Sequence, residues 1–412
     1  MPYAQYTKGV SFSLKPKPCP DCGSEPIFHR RDYMLLLTDT IAIPFFSSLH
    51  EFFFRPLTKG LSKKEKKFYL TPYILDALVM LKLGSYLDAY DDKTLLLDQV
   101  LWDEAKARGI VMREFRLFGM PIAAFEARVQ SGKRIAFSSF PTPPYASPGV
   151  WWLDTKSVMK QKFLNRGIPV ARGGAAMTKR GAHNIFKTLE APVIVKPYQG
   201  SGSRHTTVHI TNEQELDRAF DVSQQITPMS VVEEELVGAV YRPTAVGGKL
   251  IATIRRDVPQ VVGDGVHTIE ELVEEENKHP KRQGPYYSKI EFTEAHLREL
   301  ARQGLTIKSI PSAGKVVTLH QKINWSVGGT TTDVTDEVHP DNRALFELVS
   351  DVLGAPMVGI DFIIEDISKS WKEQKRCGII ECNSRPFFDN HHLPFKGKPR
   401  NVSAAIWDHA GF

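Results

Sequence analysis

The stretch Val193-Ile194-Val195-Lys196, followed by Gly200-Ser201-Gly202-Ser203 and then by the alternating residues Thr206 to Ile210, limits the fold more than any other feature. β-Branched residues on both sides of a glycine loop predict strand, loop, strand. That is an antiparallel hairpin, not the strand-to-helix turn of a doubly wound sheet. Gly200 and Gly202 carry no Cβ, so backbone N–H groups there can come close to a phosphate, with Lys196 just before them on a strand. No G-x-x-x-x-G-K-[ST] loop occurs in the chain, and position 205 is His, so neither a P-loop nor a dinucleotide fingerprint explains the glycines. A hairpin lying over phosphates is the functional reading, and a flexible turn is the bland one.

A chain of 412 residues exceeds one compact core and predicts two or three domains. Residues 1–150 read as an N-terminal α/β region. Within it, Leu95, Leu96, Val100, Leu101 and Ala105 predict a helix over 91–108 that stops at Gly109, and a strand follows from Ile110. Phe140-Pro141-Thr142-Pro143-Pro144 reads as a linker. Residues 151–235 hold a helix capped by Asp154 and ending at Gly167, then the glycine hairpin. Residues 236–412 hold the remaining strands. Gly247-Gly248 marks a tight turn between Val246 and Lys249, in a strand region where Ser230–Val232 is grouped with Pro243–Ile254. Thr268 with Glu271 fits a capping box, and an amphipathic helix over 342–353 ends at Gly354. The fold class is α+β with antiparallel hairpins.

Fifty-three basic against 47 acidic residues leave a net charge of +6, which admits anionic substrates without calling for nucleic acid. Four cysteines are too few for a disulfide framework and favour a reducing, cytoplasmic setting. The apolar run Met34–Phe46 is broken by Thr38, Asp39, Thr40 and Pro44, too short and polar to span a membrane. The opening MPYAQYTKGV lacks a secretory pattern. Cys19-Pro-Asp-Cys22 is half of a zinc ribbon, but Cys377 and Cys382 have the wrong spacing to complete it, so zinc is not expected there.

The second chemical feature is Asp361 with Glu381 and Asn383. Glu381 and Asn383 are two apart on one strand and share a face, and Asp361 lies in the partner apolar strand. Two carboxylates and an amide oxygen suit Mg²⁺ held against nucleotide phosphates. Arg385 would add a fixed positive fork for a phosphoryl group or an oxyanion. The acidic run Glu233-Glu234-Glu235 is either a solvated strand end or a contact for an adenine amino group. His391 and His392 divide evenly between substrate contacts and structural histidines.

From Asp154 to Pro394 the chain resembles the ATP-grasp ligases, most closely the ATP-grasp module of cyanophycin synthetase and bifunctional glutathione synthase. The likeness rests on an ordered series. It runs through Lys156–Lys160 with Gly167-Ile168-Pro169-Val170, Val195-Lys196-Pro197 with the glycine loop, and Val232-Glu233 through Gly238. It continues through Val262-Gly263-Asp264-Gly265, Ile310-Pro311-Ser312-Ala313-Gly314, Gly328-Gly329-Thr330 leading to Asp336, Gly359-Ile360-Asp361 and Glu381-Cys382-Asn383. The resemblance implies an ATP-grasp fold, with 1–150 as a region before the grasp, 151–235 as helix and lid, and 236–412 as the domain of metal-binding strands.

By the same resemblance, Lys156 and Lys196 hold the α- and β-phosphates under the Gly200 and Gly202 flap. Glu233 takes the adenine amino group, with Glu234 and Leu236 giving backbone contacts. Asp361, Glu381 and Asn383 bind Mg²⁺, with Mn²⁺ as the alternative, and Arg256 and Arg385 steady the acyl-phosphate and its tetrahedral successor. The implied partners are a small carboxylate and an amine, an amino acid or a small peptide. Neither nucleic acid nor membrane is implied, and a homo-oligomer is left open. Ser203 and His205 stand where the flap usually has more glycine. Val240 stands where an acid often binds the ribose, and Arg385 with 387–392 departs from the cyanophycin version. An ATP-grasp kinase and a nucleotide-binding adaptor are the rival readings.

Overall fold

The computed structural model describes residues 71–128, 132, 134–137, 140–141, 156–198 and 205–412. The Cys19/Cys22 pair, Gly200 and Gly202, residues 142–144 of the linker, Asp154 and the side chain of Lys156 lie outside the described residues.

The first described region is α1 (Thr71–Met80), β1 (Gly84–Leu87), α2 (Leu96–Ala107), β2 (Val111–Leu117), β3 (Met120–Arg128) and β4 (Arg134–Phe137). The strands pair antiparallel in chain order. α2 starts later than its apolar pattern predicts. Arg116 on β2 holds both oxygens of Asp91 (2.7 and 2.6 Å), and the Thr94 N–H donates to the Asp91 carbonyl, so 91–94 form a turn. A tertiary ion pair thus overrides helix propensity. Gly109, at φ 70°, ends the helix as expected.

The second region is α3 (Lys156–Leu164), β5 (Gly173–Ala176), α4 (Lys179–Phe186), β6 (Val193–Pro197), β7 (Thr207–Ile210), α5 (Glu213–Ser223) and β8 (Ser230–Glu234). The hairpin forms as predicted, with Val195 opposite Thr207 and Val193 opposite Ile210. The four strands make a separate antiparallel sheet ordered β5-β8-β6-β7. Ser230–Val232 therefore belongs to this lid and not with Pro243–Ile254. α3 sits elsewhere. Met159 and Phe163, with Ile168 and Val170 after the helix, are buried in one cluster with Leu345, Phe346, Ile360 and Phe362. The helix packs with the C-terminal core, and the lid begins only at Gly173.

The third region is β9 (Ala239–Val246), β10 (Lys249–Asp257), β11 (Gln260–Val262), α6 (Ile269–Asn277), α7 (Glu294–Arg302), β12 (Val316–Thr318), β13 (Thr330–Asp333), α8 (Pro340–Leu353), β14 (Met357–Ile364), β15 (Gly378–Asn383), α9 (Asp389–His392) and α10 (Val402–Ala410). Its main sheet is antiparallel, ordered β13-β10-β9-β14-β15. Gly247 and Gly248, at φ 56° and 82°, turn β9 into β10 with Val246 opposite Lys249. The Thr268–Glu271 capping box is formed at α6. Pro340 at the first turn of α8 and left-handed Gly354 after it fix both ends of that helix. Its face Leu345, Phe346, Val349 and Leu353 covers the sheet. The N-terminal layer joins through a second cluster, in which Leu97, Leu101 and Trp102 meet Phe388, Ile406 and Trp407. No helix among the described residues is long and apolar enough to cross a membrane.

Candidate active site

The lid and the C-terminal core meet at a cleft lined by Met159, Lys160, Ala171, Lys196, Glu233, Ile379 and Ile380. β6 alternates buried and half-buried residues, which turns Lys196 toward the cleft. Glu233 is buried on β8 and accepts from Lys196 Nζ at 2.6 Å and from Lys160 Nζ at 2.8 Å. Burial alone would raise its carboxyl, but Lys196 and Lys160 outweigh it and hold the group ionised below the ordinary range. Lys160, one helical turn beyond Lys156, is thus the described lysine of α3 that reaches the cleft. Its presence could have been read from the i, i+4 lysine pair on one helix face.

Glu234 turns the other way. Its carboxylate accepts from the Arg172 N–H and from Arg172 Nε, both at 2.9 Å, and its own N–H donates to the Arg172 carbonyl at 2.9 Å. This ties the last lid strand to the segment that enters the lid. Leu236 is half-buried at the exit.

Across the cleft, β14 and β15 place Asp361 directly opposite Glu381, and Gly359 opposite Asn383. The ladders on both sides of Asp361 are irregular. The β14–β15 register shifts between Asp361 and Phe362, and no pair joins β14 to β9 between Gly359–Thr244 and Phe362–Tyr241. Pro243 lies in that gap and has no N–H to donate, a local reason for it. Into the gap comes Arg242, buried, with Nε on one oxygen of Asp361 and Nη2 on the other at 2.7 Å. Gly359 leaves room for it: a Cβ there would stand 2.5 Å from Pro386 Cβ and 3.2 Å from Arg242 Cδ.

Arg256 adds a second guanidinium, 3.5 Å from Asp361 Oδ2 and 3.2 Å from the Ile323 carbonyl. Burial lowers the arginine's affinity for its proton, and Arg242 beside it lowers it further, against Asp361 and Glu381. Burial would also lower Arg242, but Asp361 reverses this and raises it. Sequence reasoning did not pick out Arg242, whose signal was the charged residue beside a strand proline. Burial, with Asp361 and Glu381 nearby, raises the Cys382 thiol, which points into the core.

Glu381 and Asn383 are half-buried, and their side chains make no hydrogen bond to the described residues. As hard oxygen acceptors without a donor among the described residues, with Asp361 across the ladder, they fit a divalent cation. Among the described residues no group of three or more His, Cys, Asp or Glu could hold a metal; the set here is two acids and an amide. Arg385 is exposed just beyond Asn383. His391 is buried within reach of the Arg242 charge; its Nε2 pairs with Thr244 Oγ1 at 2.7 Å, and its Nδ1 has no partner among the described residues. His392 Nε2 pairs with Ser403 Oγ at 3.1 Å, which fits a structural histidine.

No family model matches the chain. It is 30% identical over 330 residues to cyanophycin synthetase from Trichormus variabilis, covering 78% of this chain and 36% of that protein. It is 34% identical over 262 residues to the glutathione biosynthesis bifunctional protein GshAB from Clostridium perfringens, covering 62% of this chain and 34% of that protein. The chain thus spans about a third of the length of these curated relatives. Among solved structures it superposes on a bifunctional glutathione synthetase from Pasteurella multocida with a TM-score of 0.59 and 25% identity, over 76% of this chain and 43% of that one.

Proposed function

From the ATP-grasp fold that the chain carries, we propose that it is an ATP-dependent carboxylate–amine ligase. It joins a carboxylate and an amine, with an amino acid or small peptide as substrate, through an acyl-phosphate. The observation that carries this reading is the cleft itself. Lys160 of α3 and Lys196 of β6 line it on one side and Ile379 and Ile380 of β15 on the other, and β15 goes on to Glu381, opposite Asp361 and its two guanidinium groups. The names of the relatives, cyanophycin synthetase and glutathione biosynthesis proteins, fit the formation of amide bonds.

A carboxylate is a poor electrophile, so the chain's task is to position it against the γ-phosphate and to stabilise the charge that develops. Lys160 and Lys196 are released from Glu233 to the nucleotide phosphates, and Glu233 turns to the adenine amino group. Lys156, Gly200, Gly202, Glu234 and Leu236 complete the nucleotide contacts. Glu381 and Asn383, with Asp361 behind them, would hold Mg²⁺ (or Mn²⁺), whose charge would help neutralise the transferred phosphoryl group. Arg256 and Arg385 stabilise the oxyanion formed when the amine attacks, and Arg242 fixes Asp361. The lid excludes water from the acyl-phosphate while it lasts. The test is ADP release with Mg²⁺-ATP, a pool of carboxylates and a pool of amines and amino acids. Turnover that needs both pools, with a product mass equal to their sum less water, supports the ligase. A phosphorylated product formed without any amine would replace it with a kinase.

A further inference from the structure

The turn between β2 and β3 carries a residue that the fold itself does not call for. Leu117 pairs with Met120, and Phe118 and Gly119 between them stand at φ 50° and 74°, as in a two-residue type I′ turn. Asn-Gly suits such a turn, whereas a phenylalanine in the left-handed region is strained. The ring gains no burial in exchange, because Phe118 is 66% exposed. Its N–H donates to the Leu83 carbonyl at 2.9 Å, which sets it beside β1, and Met80, Leu81, Leu83 and Met120 are exposed around it. Single apolar residues are ordinary on a surface, but a group gathered round a strained aromatic marks a contact.

β1 is an edge of its sheet: β2 lies on one side, and among the described residues no strand pairs on the other. Backbone groups alternate in direction along an antiparallel edge. With the Leu83 carbonyl bound to β2, Ser85 and Leu87 also turn toward β2, and Gly84 and Tyr86 turn their N–H and C=O groups outward. The strand Gly84–Leu87 has no charge, proline or bulge of the kind that keeps an edge from pairing. It does have a charge at each end, Lys82 and Asp88, both exposed and neither in an ion pair with a described residue.

These two charges are equally spaced about Ser85. Antiparallel pairing of two copies about a two-fold axis at Ser85 sets Gly84 opposite the partner's Tyr86, so that the outward hydrogen-bonding groups meet. It also sets Leu83 opposite the partner's Leu87 and Lys82 opposite the partner's Asp88, once at each end. An axis between two residues mismatches the hydrogen bonds. An axis at Gly84 or Tyr86 leaves both charges facing uncharged residues.

We propose that the protein forms a homodimer through β1, joining the two four-stranded N-terminal sheets across a two-fold axis at Ser85. The occupant of this edge is a second copy because the charges that flank it complement themselves in that register. The apolar group around Phe118 then packs beside the partner's Leu87. The nucleotide cleft is lined by residues from Met159 onward, so the association stands apart from the ligase reading.

The test is sedimentation equilibrium of the full chain, whose monomer mass is 46.4 kDa. The wild type is expected at twice that mass in the micromolar range. Lys82→Glu and Asp88→Lys each set like charges opposite one another at both ends and should weaken the dimer at least about tenfold. The two changes combined should restore it. Phe118→Asn should weaken the dimer by a similar factor with the circular dichroism spectrum unchanged. Ser85→Cys should form an intermolecular disulfide on mild oxidation, since residues facing each other in a non-hydrogen-bonded pair have Cα atoms about 4.5 Å apart. Ala89→Cys, which does not face itself, should not. A wild type that stays monomeric at about 0.1 mM overturns the proposal, and a different occupant then covers the edge. A dimer that survives the single charge changes, or that the combined change does not restore, also overturns it, because the copies would then meet through another face.

Discussion

Replacing Asp98 by Asn should change how the stability of the protein depends on pH. Burial raises the Asp98 carboxyl to about 7, with Glu114 and Asp389 adding to the shift and Arg385 opposing it. The native state therefore holds a proton that the unfolded chain, with an ordinary aspartate, has released. A raised carboxyl contributes stability that is fully present below the unfolded pKa and is lost as pH rises through the folded value. Between pH 5 and pH 8 the loss from Asp98 alone is about 3 kcal/mol. Asp389 is raised by burial to about 6, with its Tyr286 hydrogen bond opposing, and adds about 1 kcal/mol over the same interval. Asn keeps the shape of the side chain and cannot titrate. Urea unfolding at pH 5, 6, 7 and 8 should show the wild type losing stability across the series and Asp98→Asn losing about 3 kcal/mol less. The variant should then be the more stable protein at pH 8. Parallel curves for the two proteins would refute the assignment of a buried, protonated Asp98.

Arg242→Ala leaves Asp361 buried without its main partner and should destabilise the fold by about 3–5 kcal/mol in urea unfolding; a loss under about 1 kcal/mol would mean that solvent reaches the pair. Glu381→Ala should abolish ADP release with the circular dichroism spectrum unchanged, and near-normal turnover would overturn its metal role. Gly359→Ala must displace Pro386 and crowds Arg242, and it should lower both the melting temperature and turnover, whereas unchanged values would show that the strand gives way without cost.

What was legible in the sequence was mostly local. The Gly247-Gly248 turn, the Thr268–Glu271 box and the stop at Gly354 each depend on a few neighbouring residues, and each is present. The facing of Asp361 and Glu381 follows from two apolar strands joined by a charged connection. What failed depended on distant partners. Asp91 is taken out of its helix by Arg116, and Ser230–Val232 joins the sheet of β5 and β6 because the lid closes on itself. Arg242 and Asp98 carry charges that a sequence pattern assigns to the surface, and only the packing of other elements over them makes them buried. Lys160 and Lys156 could not be ranked from a helix pattern alone.

The placing of α3 bears on how the chain comes together. Met159 and Phe163 find their buried partners, Phe346, Ile360 and Phe362, only after the whole lid has been passed in sequence. The lid is bounded by the adjacent pair Gly173 and Glu233 and has its own cluster, from Val193 and Val195 to Leu216 and Phe220. During synthesis, which proceeds from the N-terminus, the lid can collapse early, while α3 keeps an apolar face uncovered until α8 and β14 emerge. The long loop closed by that late docking makes it the slow, high-contact-order event of assembly. A chaperone that recognises apolar helix faces would have its longest opportunity at α3.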